Sequence, residues 1–395
     1  MKFSELELLP TLQETLTEKE FMELTDIQAR ALPSLLDGKS VVGVAETGSG
    51  KTLAYAIPIL QSLKTLENEG DAIKASAQPR ALVIVPTREL GEQVTRVFKP
   101  FTHTTRLRVR SVLGGTDLDV AKKNLAGAFE VLIATPGRLI KLLDRGLVSF
   151  TDVRILVFDE ADQMLDQGFL PSAIQITGAC SAQPQMVLFS ATVSPKVEEL
   201  IKKLFVQAEV IRSQGSHKTV SGLSTKNLSV PDGKRMPLLE KLLADAVEGG
   251  TMIFTNTREQ CDKLASEMKK LGHDSAVYRG EMDKIERRKN LKLFRDGKIQ
   301  FLISTDLASR GLDVEHVGRV INYHLPQQME NYIHRVGRTA RAGRKGLVIN
   351  FVTERDEKLL TKLGKSSREW PEEPVHQAPP LRRIAPGTIV VKPRK

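Results

Sequence analysis

The segment Ala45-Glu46-Thr47-Gly48-Ser49-Gly50-Lys51-Thr52 constrains the fold more than any other stretch of the chain. The apolar run Val41-Val42-Gly43-Val44 precedes it, and the apolar, helix-like Leu53-Ala54-Tyr55-Ala56-Ile57 follows. The pattern is a buried strand, a glycine-rich turn and a helix start. Glycines let backbone N–H groups curl around an anion, and the positive end of the helix dipole adds attraction. Lys51 can reach the β- and γ-phosphates of a nucleoside triphosphate, and the Thr52 hydroxyl can ligate Mg²⁺. The general phosphate-loop pattern begins with Gly, and Ala45 stands at that position. A flexible Gly/Ser turn is the simpler reading of the same composition. Gly50-Lys51-Thr52 in its strand–turn–helix context favours the phosphate site.

At 395 residues the chain is too long for one typical core, so two domains and a tail are expected. The formal net charge of +10 suits a polyanionic partner, nucleic acid being the usual one, although solubility alone would also explain it. No apolar stretch approaches membrane-spanning length. The acidic start, Met1 to Glu7, lacks the profile of a signal peptide. Cys180 and Cys261 stand alone, which suggests neither a disulfide framework nor a zinc site. Together these features predict a cytoplasmic protein without membrane association.

Short apolar runs alternate with longer amphipathic stretches through the first half. Strands are predicted at Val41–Val44, Ala81–Val85, Val109–Leu113, Val131–Ala134, Ile155–Phe158 and Met186–Phe189. Continuous rather than alternating apolar character suits parallel strands covered on both faces. The result is an α/β doubly wound pattern, in which ligands gather at the carboxyl ends of strands. The polar stretch Ser213–Thr219 reads as a linker, with the first domain at 1–212, the linker at 213–223 and the second domain at 224–362. Strands are predicted there at Met252–Phe254, Phe301–Ser304, Arg319–Asn322 and Leu347–Phe351, with helices near Glu259–Leu271 and Ile285–Asp296. The second half has no glycine-rich phosphate loop, so one nucleotide site per chain is expected. Residues 363–395 carry six prolines and a basic end and read as a mobile extension. Trp370 is read as a cap on the second domain, with base stacking as the alternative.

Asp159-Glu160-Ala161-Asp162 follows the apolar run Ile155–Phe158. A carboxylate at the end of a strand parallel to the phosphate-loop strand is where Mg²⁺ is held in P-loop NTPases. Asp159 is the candidate for that role, directly or through water, and Glu160 is placed to orient or deprotonate the attacking water. An acidic helix N-terminus is the plainer reading, since the dipole stabilises Asp and Glu there.

With this tetrapeptide the chain resembles the DEAD-box ATP-dependent RNA helicases, from about Phe3 to Lys362 and with the motifs in the family's order. The resemblance implies two tandem RecA-like domains joined by a short linker. It also implies ATP and Mg²⁺ as ligands, RNA as partner and a monomer, with ribonucleoprotein or ribosome-assembly partners in prospect. Phe21 and Thr25-Asp26-Ile27-Gln28 resemble the adenine-reading segment, with Gln28 on the base edge and Phe21 on its face. Glu20, Leu24 and Asp26 depart from that pattern. Ser190-Ala191-Thr192 resembles the element linking nucleotide state to strand separation, and its hydroxyls can bond the carboxylates of Asp159–Asp162.

Three further turns resemble RNA contacts: Pro86-Thr87-Arg88-Glu89-Leu90, Gly114-Gly115, and Thr135-Pro136-Gly137-Arg138. Each offers backbone N–H groups or side-chain donors suited to phosphate oxygens, and none offers a base-edge reader. In the second half, His334-Arg335-Val336-Gly337-Arg338-Thr339-Ala340-Arg341 resembles the arginine-finger segment. Arg338 and Arg341 are its candidates for the γ-phosphate, and His334 is a packing and hydrogen-bonding residue. In Ser304 to Asp313, Thr305 is implied as an RNA contact and Gly311 and Asp313 as ATP contacts. Arg279-Gly280 and Lys284–Arg287 fall where the family has further RNA contacts and a Gln-x-x-Arg, and Arg279 and Lys284 depart from the family's usual residues. RNA-stimulated ATP hydrolysis coupled to local, non-processive unwinding is the implied activity. An ATP-dependent RNA clamp and a DNA helicase use the same residues and stay open at this point.

Overall fold

A computed structural model describes residues 1–46, 48–115, 117–180, 183–213, 223–230, 233–245, 247–306, 314, 317–339 and 345–356. Thr47, Gly311, Asp313, Arg341, the Lys284 side chain, linker residues 214–222, Trp370 and the tail lie outside the described residues.

The first sheet contains β1 (Val41–Val44), β2 (Ala81–Ile84), β3 (Val109–Val112), β4 (Val131–Ala134), β5 (Ile155–Phe158), β6 (Gln185–Ser190) and β7 (Glu209–Arg212). Its order is β3-β4-β2-β5-β6-β1-β7, and every pairing is parallel. Around it lie α1 (Pro10–Glu18), α2 (Asp26–Leu36), α3 (Lys51–Asn68), α4 (Arg88–Thr105), α5 (Leu118–Asn124), α6 (Pro136–Leu143), α7 (Ala161–Asp166), α8 (Leu170–Gly178) and α9 (Pro195–Leu204).

The second sheet contains β8 (Leu223–Ser229), β9 (Gly250–Thr255), β10 (Ser275–Tyr278), β11 (Phe301–Thr305), β12 (Val317–Asn322) and β13 (Gly346–Val352), in the all-parallel order β10-β11-β9-β12-β13-β8. Its helices are α10 (Met236–Leu243), α11 (Arg258–Lys270), α12 (Lys284–Arg295) and α13 (Met329–Val336).

The apolar runs are continuous because both faces of each central strand are buried. Ala81 and Val83 enter one core with Leu60 and Phe98, while Leu82 and Ile84 enter another with Leu139 and Met164. The second sheet divides in the same way: Ile253 and Ile303 face one core, Met252 and Leu302 the other. Ordinary burial free energy, about 25 cal/mol per Å² of apolar area, then acts on both sides of each sheet.

Three strands were not among those predicted from sequence: β7, β8 and β10. All three are sheet edges. An edge strand meets water along one side and needs no continuous apolar run, and Glu209, Val210 and Arg212 of β7 are exposed. Strand β8 already includes Leu223, the residue read as the end of the linker. No helix among the described residues is long and apolar enough to cross a membrane.

Candidate active site

Because all strands of a sheet run in one direction, their carboxyl ends share one rim. Sheet order sorts the motifs along it. Adjacent β5, β6 and β1 lead into Asp159–Asp162, Ser190–Thr192 and the phosphate loop. Adjacent β3, β4 and β2 lead into Gly114-Gly115, Thr135–Arg138 and Pro86–Arg88. The first domain's nucleotide and RNA candidates therefore occupy opposite halves of a single rim.

The phosphate loop leaves β1 at Ala45, whose N–H is held by the Ser190 carbonyl at 3.0 Å. The Ser49 hydroxyl donates to the Glu46 carbonyl at 2.7 Å, closing the turn. Gly48 and Gly50 have φ of 86° and 91°, in the left-handed region that favours glycine. A Cβ on Gly50 would stand 2.5 Å from Gln28 Nε2. Gln28 is buried and holds this approach. Its Nε2 donates to the Gly50 carbonyl at 2.9 Å, and its Oε1 accepts from Thr25 N at 2.9 Å. It thus fixes the loop, leaving one N–H and one lone pair for a base edge. Phe21 is 40% exposed, a face available for stacking.

Lys51 is buried at the start of α3, and its Nζ donates to the Ala45 carbonyl at 2.9 Å. Asp159, at the end of β5, accepts from Tyr55 Oη at 2.9 Å and from the Glu160 N–H at 2.9 Å. Burial pushes its carboxyl above the ordinary range, against the opposing pull of Lys51 and Tyr55. Glu160 is buried with φ of 48°, an uncommon conformation for a residue with a Cβ. Tyr55 gave no functional signal in the sequence, where it reads as one apolar residue of a helix.

Asp162 is the hub of the cleft. Its Oδ2 accepts from Thr192 N and Thr192 Oγ1, each at 3.0 Å. His334 Nε2 of the second domain stands 3.8 Å from the same oxygen, with both side chains buried. Burial works against the charge of Asp162, but His334 and Lys51 overcome it and hold its pKa below the ordinary carboxylate value. The Ser190 hydroxyl corrects one expectation. It accepts from the Asp162 N–H at 3.2 Å and donates to the Thr192 carbonyl at 2.8 Å, so it bonds the backbone rather than a carboxylate.

Arg338 lies buried one turn beyond His334, and its Nε donates to the His334 carbonyl at 3.0 Å. Between them stands Arg335, fully buried, which the sequence did not single out by role. Its guanidinium donates to Asp306 at 2.5 and 2.9 Å, to Asn322 at 3.1 Å, to the His324 carbonyl at 2.6 Å and to Asn256 at 2.9 Å. It also lies 5.1 Å from the Phe254 ring centroid. Arg335 thereby pins α13 to the carboxyl ends of β9, β11 and β12, which holds His334 toward Asp162 of the first domain. Only in three dimensions does this arginine separate from its neighbours.

The RNA candidates are differently engaged. Thr87 caps α4 by accepting from Leu90 N at 3.2 Å, and Arg88 Nε pairs with Glu92 at 2.8 Å. Thr135 is the N-cap residue of α6, with Pro136, Gly137 and Arg138 in its first turn. Gly115 has φ of 76°. Arg279 turns to Asp262 at 2.9 Å and to the Gly280 carbonyl at 3.3 Å, while Thr305 ends β11 and is buried. Arg287 reaches Glu89 of the first domain.

A phosphate loop on one sheet whose carboxylates face a basic helix supplied by another sheet is the division of labour of two-domain P-loop ATPases. Sequence comparison narrows the class. Residues 25–200 match the DEAD/DEAH box helicase family and residues 234–343 the helicase conserved C-terminal domain. The chain is 36% identical over 355 residues to the ATP-dependent RNA helicase RhlB of Actinobacillus succinogenes, covering 89% of this chain and 85% of that one. It is 34% identical over 354 residues to the DEAD-box ATP-dependent RNA helicase CshA of Geobacillus kaustophilus, covering 90% and 74%. It also superposes on S. cerevisiae Dbp5 bound to RNA and ADP BeF3 with a TM-score of 0.81, 29% identity and 93% of each chain covered. The protein belongs to the DEAD-box helicases. It is an ATP-dependent RNA helicase, and thus an ATP-hydrolysing enzyme built on two RecA-like domains.

Proposed function

We propose that ATP binds on the rim formed by β1, β6 and β5, that one RNA strand runs along the β3-β4-β2 half, and that hydrolysis requires the second domain. The observation that carries this reading is the shared Asp162 oxygen, which Thr192 holds from one domain and His334 approaches from the other. One carboxylate is thereby sensitive both to the nucleotide rim and to domain closure.

Lys51 and the loop N–H groups bind the phosphates. Gln28 and Phe21 take the adenine. Glu160 orients the attacking water and accepts its proton, while Arg338 and Arg341 meet charge developing on the γ-phosphate. Fingers of this kind contribute about 10³–10⁵ in rate. The donor set fits Mg²⁺: the buried carboxylate of Asp159 and the hydroxyl of Thr52 are both hard oxygen donors. Mg²⁺ characteristically takes one or two protein oxygens and completes its shell with phosphates and water. Bound there, it would neutralise phosphate charge.

Pro86, Thr87, Arg88, Gly115, Thr135, Gly137, Arg138, Arg279, Gly280 and Thr305 supply backbone-directed RNA contacts, so binding is independent of base sequence and falls steeply with salt. Closure bends one strand and melts a short duplex locally; phosphate loss reopens the cleft. The free thiols of Cys180 and Cys261 suit a reducing, cytoplasmic setting.

The test is ATP turnover with and without a single-stranded RNA oligonucleotide, paired with release of a short RNA duplex. Lys51→Ala and Glu160→Gln are expected to abolish RNA-stimulated turnover, and near-wild-type rates in either would overturn the assignment. Stimulated turnover without strand release would make the protein a clamp. Equal stimulation by DNA would remove the 2′-OH as a determinant.

A further inference from the structure

The two domains also meet away from the ATP rim, along α4 and α12. Glu89 pairs with Arg287, which stacks at 5.4 Å over the Tyr278 ring. One turn along α4, Glu92 Oε1 accepts from two arginines at once: Arg88 Nε of its own helix at 2.8 Å and Arg288 Nη2 of the second domain at 3.0 Å. Arg88 belongs to the Pro86–Leu90 segment, whereas neither Glu92 nor Arg288 falls in any motif the sequence singled out. Arginines outnumber carboxylates around the cavity of about 370 Å³ beside this contact, so a carboxylate on its wall serves to order guanidinium groups.

We propose that Glu92 is a positioning residue that couples the RNA strand to domain closure: it orients Arg88 for a phosphate and, through the same oxygen, clasps Arg288 when the cleft shuts. The proposal rests on the reading that RNA passes Arg88. Two guanidinium groups sharing one carboxylate oxygen repel each other, and an RNA phosphate beside Arg88 relieves that repulsion. RNA and the closed arrangement therefore favour each other at this point, as reciprocal coupling requires. The Glu92 and Arg288 side chains are 40% and 62% exposed, so substitutions there leave the cores intact and the individual pair is weak.

The experiment uses the full chain with one dye on each domain, the nonhydrolysable ATP analogue AMP-PNP and a ten-nucleotide oligouridylate. Energy transfer reports closure, and steady-state ATPase reports the RNA concentration for half-maximal rate. Glu92→Lys and Arg288→Glu are each expected to raise the RNA needed for half-maximal closure by about two- to tenfold. Turnover at saturating RNA should stay within about twofold, because excess RNA drives closure by mass action. The double variant restores the cross-domain pair in reversed sense, so the RNA needed for half-maximal closure falls below that of either single variant. Its half-saturating RNA in the ATPase assay stays raised, because the introduced lysine repels Arg88. A double variant closing no better than the worse single variant would overturn the clasp, and full recovery of RNA half-saturation would overturn the positioning of Arg88. Arg88→Ala serves as the separate arm. If it leaves RNA half-saturation unmoved, RNA does not pass Arg88, while the clasp is still judged by closure in the reversed pair.

Discussion

Single residues set the geometry of the nucleotide rim. Gly50 combines φ of 91° with a 2.5 Å approach to the Gln28 amide, so Gly50→Ala faces both backbone strain and a steric conflict. A cost above about 1 kcal/mol in stability is expected from the backbone alone. The displaced Gln28 should raise the ATP KM, and thermal melts with ATPase titrations would measure both. His324 offers a pH test. Burial, with Arg235 and Arg335 nearby, lowers its pKa from 6.5 to about 4. Between those values the unfolded chain binds a proton that the folded chain refuses, so stability rises with pH through that window and falls as pH drops from 6.5 toward 4. His324→Gln should flatten that part of the melting-temperature profile. An unchanged slope in the variant would assign it to other groups. The phosphate loop and Asp159–Asp162 were legible in sequence because each is a local run of residues. Tyr55, Arg335 and Glu92 were not, because their partners Asp159, Asp306 and Arg288 lie 104, 29 and 196 residues away.

At the scale of elements, the seat of the active site is the pairing of β1 with β6. Gly43 lies beside Phe189 in parallel register, and a Cβ on Gly43 would meet the Phe189 ring at 2.2 Å. The ring leans on Tyr55 at 5.9 Å between centroids, and Tyr55 holds Asp159. Gly43→Ala is therefore expected to destabilise the fold by about 1–3 kcal/mol through overpacking. Phe189→Leu should recover part of that loss, as denaturant titration of the single and double variants would show; strict additivity would count against a direct conflict. The central strands were readable as apolar runs because helices cover both of their faces. Edge strands β7, β8 and β10 escaped because water on one side relaxes the demand for apolar residues.

For the whole molecule, the decisive fact is that one superposition on the RNA- and ADP BeF3-bound Dbp5 chain covers 93% of both proteins at a TM-score of 0.81. A score that high over both sheets requires their relative placement to agree as well. If ATP and RNA each favour this arrangement, the factor by which AMP-PNP tightens RNA binding must equal the factor by which RNA tightens AMP-PNP binding. Fluorescence titrations in both orders should give the same ratio, about 5–150-fold for ordinary coupling energies. Tight binding of each ligand with a ratio near one would mean that closure is not shared. Arg338→Ala should slow turnover at saturating ATP and leave the ATP KM of the full chain near that of the wild type, as steady-state titration would show.

The chemistry is written in short local runs: a phosphate loop after an apolar strand, an acidic tetrapeptide after another and a run of arginines in a second α/β series. Such motifs are local because backbone turns and helix starts are local. Tertiary structure alone decided how they are shared out. Strand order placed β5, β6 and β1 side by side and β3, β4 and β2 beside them, separating nucleotide from RNA candidates along one rim. Docking of the two sheets then brought His334 to Asp162 and Arg288 to Glu92. Strand order and domain docking depend on burial and charge summed over hundreds of residues, and no short stretch of sequence carries that sum.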